Sequence, residues 1–166
     1  LMDKEAEQVP VGANRLLYLP YLMGERTPHL DPNARGVFFG LSAMHTKRDM
    51  LRAVLEGVTY SLRDCVEVFR EMGISVDDMM ACGGGGTSPL WRSMLADLYN
   101  CPVKTVASKE GPSLGVAILA SVGAGIYGSV PEACDAIVKT DKTQTPQAEN
   151  VPAYESYYQL YRQIYP

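Results

Sequence analysis

Met79-Met80-Ala81-Cys82-Gly83-Gly84-Gly85-Gly86-Thr87-Ser88-Pro89-Leu90-Trp91 reads as a short apolar strand that runs into four consecutive glycines and out into a helix. Ser88 is placed to cap that helix and Pro89 to fill its first turn, with Met94, Leu95 and Leu98 continuing the inner face. A strand that ends in glycines and feeds a helix presents successive backbone N–H groups and the positive end of the helix dipole. Without Cβ atoms, such a backbone can come within hydrogen-bonding distance of a phosphate. Thr87 and Ser88 add hydroxyls at the same place. Gly83, Gly84, Gly85, Gly86, Thr87 and Ser88 are therefore the candidate nucleotide-binding residues. The competing reading is a tight turn that binds nothing, which would suffice for one or two glycines. Four in a row add backbone entropy that folding must remove, and this favours a ligand. A P-loop is excluded because no Lys precedes the Thr87-Ser88 pair, and a dinucleotide fingerprint because its sixth position falls on Ser88 or Pro89.

Outward from this turn, strands alternate with helices, the pattern of an α/β sandwich. Upstream, Leu51, Val54, Leu55, Val58, Leu62, Cys65, Val66 and Phe69 recur at three-four spacing, which predicts a helix from about residue 49 to 72 with those side chains as its buried face. Thr46 with Asp49 reads as a capping box, and Gly73 is placed to end the helix. Gly57 inside it disfavours the helix by about 1 kcal/mol relative to Ala, which suggests a close approach to the backbone there, for which a neighbouring helix would suffice. Residues 15 to 22 and 36 to 41 read as apolar strands flanking a proline-bearing loop, in which Glu25 and Arg26 are placed to pair. Downstream, a strand at 103 to 106 precedes a helix of small residues at 112 to 124 and a short helix after Pro131. Residues 140 to 150 are polar without a period and read as an exposed loop. Residues 153 to 165 form a last helix, whose tyrosines clamp it to the body.

Composition closes off several functions. The chain has 166 residues, enough for one domain with a sizeable core, and a net charge of −4. Neither nucleic acid nor a membrane surface is an expected partner, because the cations are few and scattered. No apolar run approaches the roughly 20 residues of a membrane span. The cysteines at 65, 82, 101 and 134 lack metal-ligand spacing and read as small hydrophobes, with Cys65 and Cys82 expected in apolar surroundings. Reduced cysteines and no signal peptide fit the cytosol. His29 and His45 read as surface or capping histidines, and Asp77-Asp78 as a solvated turn. Neither a metal cluster nor a Ser/His/Asp set can be assembled, so no residue is a catalytic or metal candidate.

Longer-range order then narrows the class. Gly36-Val37-Phe38-Phe39-Gly40-Leu41, followed seven residues later by Asp49-Met50 and then Ala53-Val54-Leu55-Glu56, resembles the carboxy-terminal signature of the FGGY carbohydrate kinases. Tyr21-Leu22-Met23-Gly24-Glu25-Arg26-Thr27-Pro28 with Ala34-Arg35-Gly36 is similar to a segment of the xylulose-kinase branch. The glycine run through Arg92 resembles that branch's adenosine motif, and Glu110-Gly111-Pro112-Ser113-Leu114-Gly115-Val116-Ala117 resembles a helix packed nearby. In the family, alanine is commoner at the position of Gly86 and a basic residue at that of Thr87. The glycerol-kinase branch has Asp at the position of Gly83 and Asn at that of Pro89, so glycerol is disfavoured. The gluconate-kinase branch carries a similar proline-loop segment and is the rival.

The resemblance implies an α/β fold of the actin-like ATPase (ribonuclease-H-like) type, a mixed sheet with flanking helices. It implies two lobes, with sugar bound mainly to the first and ATP with Mg2+ mainly to the second. An aspartate of the first lobe takes the proton from the sugar hydroxyl. Residues 1–166 match the second, carboxy-terminal lobe only, so the parent is expected to be the kinase and this piece inactive by itself. Arg52 and Glu56 are expected as a possible further wall of the nucleotide pocket, and a homodimeric parent is in keeping with the family. Two other classes stay open: a nucleotide- or partner-binding module without catalysis, and a glycine turn without a ligand. A lone lobe is also expected to expose an apolar patch.

Overall fold

The computed structural model describes residues 2–107 and 111–165. Its longest element is α2 (Lys47–Glu71), preceded by α1 (Met2–Ala6), β1 (Leu17–Leu19) and β2 (Val37–Phe39). The ends of α2 are set by the expected residues. The Asp49 carboxylate accepts hydrogen bonds from the backbone N–H and the hydroxyl of Thr46, both at 2.7 Å. At the other end Gly73 takes φ +77°, and the Ile74 N–H reaches back to Phe69 O.

The face that α2 buries differs from the one its apolar spacing predicts. Arg52, Ala53, Glu56, Gly57, Thr59, Tyr60, Arg63 and Asp64 are buried; of the predicted apolar face Val66 is buried, Leu51, Val54, Leu55, Val58 and Cys65 are half-buried, and Leu62 and Phe69 are exposed. The helix is turned this way because β1 crosses it: a Cβ on Gly57 would lie 2.1 Å from Tyr18 O. Gly57 is thus explained by a strand backbone, without a ligand. β1 pairs antiparallel with β2, Leu17 opposite Phe39, and is buried along its length. In the loop between them Glu25 does not pair with Arg26; its carboxylate accepts from the Thr27 N–H.

The second sheet comprises β3 (Met79–Ala81), β4 (Val103–Val106) and β5 (Thr140–Gln144), in the order β3-β4-β5. β3 and β4 are parallel, joined by α3 (Gly83–Thr87) and α4 (Pro89–Tyr99), while β5 returns antiparallel to β4. β5 falls where the polar sequence reads as a loop. An edge strand needs ladder partners more than an apolar face, and exposed Asp141 and Lys142 suit such an edge.

Two more helices, α5 (Gly111–Gly123) and α6 (Val130–Ile137), follow β4, and α7 (Val151–Tyr161) closes the chain. Glu110, which opens the motif of α5, lies outside the described residues. The tyrosine clamp is present: Tyr154, Tyr158 and Tyr161 are buried, with Tyr60 ringed by all three at 5.2 to 6.4 Å. Buried hydroxyls usually have partners, and in this core the Tyr60 hydroxyl has none among the described residues. Tyr158 donates to Asp64 at 2.6 Å, and Tyr161 shares a hydrogen bond with Tyr21.

Candidate functional site

The glycine run folds as its own short helix, α3, set at the carboxyl end of β3 and separated from α4 only by Ser88. The N–H groups of the N-cap and first three residues of a helix lack partners within it, and three of these four belong here to Gly83, Gly84 and Gly85. The glycines differ in why they are glycines. A Cβ on Gly85 would lie 2.4 Å from the Trp91 ring, and one on Gly86 would lie 2.7 Å from Ala81 O. Both are required by packing. Gly83 takes φ +70°, which explains it by conformation. Gly84 has neither constraint: its φ is ordinary and its absent Cβ would meet nothing within 4 Å. Neither packing nor conformation accounts for glycine at this position.

The two hydroxyls are already engaged locally. Thr87 donates to Gly84 O at 2.7 Å, and Ser88 Oγ accepts from the Trp91 N–H at 3.1 Å as the cap of α4. Ser88 keeps its own proton to donate. Arg92 was not singled out by sequence reading, yet its buried guanidinium donates to Gly86 O at 2.5 Å and holds the end of α3. The Trp91 indole N–H donates to Thr59 Oγ1 at 2.7 Å, fixing α4 on α2. The six glycine-turn residues therefore form one continuous unit, braced from behind by Trp91 and Arg92.

Gly85 and Gly86 also border an apolar cavity of about 330 Å³ between α2, β3 and α4. Cys65 and Cys82 both line it; Cys82 is exposed, contrary to its expected burial, because it caps α3 at the sheet's open edge. Burial pushes the Cys65 thiol up.

Arg52 and Glu56 are not brought to this cavity. They form a buried pair, Nε to Oε1 at 2.7 Å, with Arg52 Nη2 donating to Tyr154 OH at 2.7 Å and the Gly12 N–H donating to Glu56 Oε1 at 3.1 Å. Burial pushes the Glu56 carboxyl up against the pull of Arg52. Glu56 Oε2 has no hydrogen-bond partner among the described residues. Arg52 borders a different cavity of about 640 Å³, with Asp97, Asn150 and Tyr154. The signal that could have placed this pair is the i, i+4 spacing of Arg52 and Glu56; its partners Gly12 and Tyr154 lie far away in sequence.

Among the described residues no group of three His, Cys, Asp or Glu side chains could hold a metal ion. None of their helices is long and apolar enough to cross a membrane.

The fold itself, a mixed sheet with helices and a glycine turn at a strand end, is that of an actin-like ATPase domain. The chain belongs to the FGGY family of carbohydrate kinases, whose C-terminal domain profile matches residues 1–124. It is 44% identical over 155 residues to the xylulose kinase of Staphylococcus epidermidis, covering 93% of this chain and 31% of that one. The ligand-bound xylulose kinase from Lactobacillus acidophilus superposes with a TM-score of 0.91 at 32% identity, over 98% of this chain and 33% of that chain. The gluconate kinase from the same organism gives 0.89, also at 32% identity and with the same coverage. The chain thus spans about a third of the length of the relatives it matches.

Proposed function

We propose that this chain is the nucleotide-binding, carboxy-terminal lobe of an ATP-dependent sugar kinase, with residues 1–166 as one lobe. In this reading the parent protein moves the γ-phosphoryl group of ATP to a sugar hydroxyl, most simply that of D-xylulose to give xylulose 5-phosphate. The observation that carries it is the open space at Gly84 beside the unpartnered N–H groups of α3, within a chain of FGGY membership. Phosphoryl transfer is largely positioning and electrostatic stabilisation, and backbone donors at a helix start supply both. Gly83 to Gly86 hold the nucleotide's phosphate side, Ser88 offers its hydroxyl, and Trp91 with Arg92 keep the turn in place. Arg52 and Glu56 brace the lobe from inside, tying α2 to Gly12 and to Tyr154 of α7.

The buried aspartates support leaving proton transfer to another lobe. Asp49 caps α2, Asp64 accepts from Tyr158, and Asp97 accepts from the Gln147 N–H and the Asn150 amide. The divalent ion that accompanies ATP in this family finds no ligand set among the described residues, and no step here passes through it. The parent works in the cytosol, and the isolated 166-residue chain binds ADP without phosphorylating sugar.

Xylulose is preferred for the 44% identical relative and for the Gly24-Glu25-Arg26-Thr27-Pro28 segment. Gluconate is the second reading, because the two superposed structures are equally identical to this chain. Phosphorylation of xylulose against gluconate by the full-length parent decides between them. Xylulose turnover is expected, and turnover of gluconate alone would reject the choice. Sugar phosphorylation by the 166-residue chain alone would refute its proposed inactivity.

A further inference from the structure

Behind the glycine turn, the hydroxyl of Thr59 ties α4 to α2. Thr59 sits in the middle of α2 and is fully buried, where a threonine hydroxyl commonly bonds back along its own helix. Its O–H donates to Leu55 O at 2.8 Å, which uses the one proton it carries. Toward any other group Thr59 Oγ1 can only accept. The Trp91 indole N–H, which can only donate, meets it at 2.7 Å.

Trp91 in turn reaches the glycine run twice. Its ring fills the space that a Cβ on Gly85 would need, 2.4 Å away. Its backbone N–H donates to Ser88 Oγ at 3.1 Å, the cap that separates α3 from α4. The ring also borders the apolar cavity of about 330 Å³, so packing does not enclose it fully. What fixes the indole edge is the Thr59 hydroxyl. Gly85, against which the ring lies, carries one of the glycine N–H groups without a partner inside α3.

We infer that Thr59 is a positioning residue for the nucleotide phosphates, acting through Trp91 on the backbone of Gly85. The inference deepens the proposed function and rests on it, since it needs the glycine turn to bind ADP. The hydrogen bond sets the tilt of the indole plane, and that plane limits where the Gly85 backbone can lie. Backbone position then decides whether the Gly84 and Gly85 N–H groups converge on one anion. Thr59→Val keeps nearly the same shape but has no acceptor, so it strands the indole N–H and frees the ring. Trp91→Phe removes the donor instead, and Thr59 keeps its bond to Leu55 O.

The test is a calorimetric ADP titration of the 166-residue chain and its variants, with melting temperatures measured alongside. Thr59→Val should weaken ADP binding about fivefold, and Thr59→Ser, which restores the acceptor, should recover the wild-type affinity. Trp91→Phe should also weaken binding, and adding Thr59→Val to it should cost nothing more, because both changes break one link. Trp91 is the chain's only tryptophan, so its fluorescence anisotropy decay reports the ring directly. A fast local component should appear in Thr59→Val and be absent from wild type and Thr59→Ser. A lowered melting temperature with unchanged ADP affinity in Thr59→Val would overturn the inference, since the hydroxyl is then structural only. So would affinity losses that add in the double variant, or a Thr59→Ser chain that binds as weakly as Thr59→Val. If Thr59→Val does not fold, Trp91→Phe decides, and wild-type affinity in that variant overturns the inference. A wild-type chain that binds no ADP rejects the proposed function and this inference with it. Wild-type binding that Thr59→Val leaves unchanged rejects the inference alone.

Discussion

Along α2, Glu56, Tyr60 and Asp64 are sealed beneath the tyrosines of α7, whereas Leu62 and Phe69 stand about half exposed beside β3. The buried side is the more polar one. Its charges are tolerated because each has a partner: Arg52 with Glu56 and Tyr154, and Asp64 with Tyr158. The apolar side borders the free sheet edge and the glycine turn, where the family's chemistry is expected. One helix therefore serves as the lobe's internal girder on one face and as an unfinished wall on the other.

This contrast is open to attack by mutation. Arg52→Ala should destabilise the chain by about 3–5 kcal/mol in urea unfolding, since it strands a buried carboxylate. A loss below about 1 kcal/mol would mean that the pair is solvated. Gly57→Ala should cost about 2–4 kcal/mol, because its Cβ would overlap Tyr18 O and push β1 away. A neutral result would place β1 further from the helix. Smaller again is the Asp49 cap. The Thr46 hydroxyl and N–H hold its carboxyl at about 2, below the usual 3.8. A depressed carboxyl stabilises the fold fully above pH 3.8, and that contribution fades as pH falls toward 2. Acid titration of stability should therefore lose about 1–2 kcal/mol over that window in wild type and less in Asp49→Asn. On the open face, Phe69→Lys should change the stability of the isolated chain by less than about 0.5 kcal/mol.

How legible this was in the sequence follows from the kind of signal involved. The ends of α2 were legible because Thr46, Asp49 and Gly73 act within a few residues of themselves. The strand–glycine–helix order was legible for the same reason. The buried face of α2 was not, because apolar periodicity assigns Arg52, Glu56 and Asp64 to solvent. Their partners Gly12, Tyr154 and Tyr158 come from distant stretches of the chain. β5 was missed because Thr140–Gln144 is held by backbone pairing to β4 and carries no apolar pattern. At the site, the glycines were found as a group, but their separate reasons were not. Trp91 and Ala81 account for Gly85 and Gly86, which leaves Gly84 as the informative position. Replacing Gly85 with Val would therefore damage packing against Trp91 and could not isolate a ligand's role.

The most direct measurement is an ADP titration by calorimetry of the 166-residue chain beside its Gly84→Val variant. The account predicts that the chain binds ADP and that Gly84→Val loses at least about tenfold in affinity, or about 1.4 kcal/mol, with its melting temperature unchanged. No ADP binding by the chain, or equal binding by both, would contradict it and leave the four glycines as a turn.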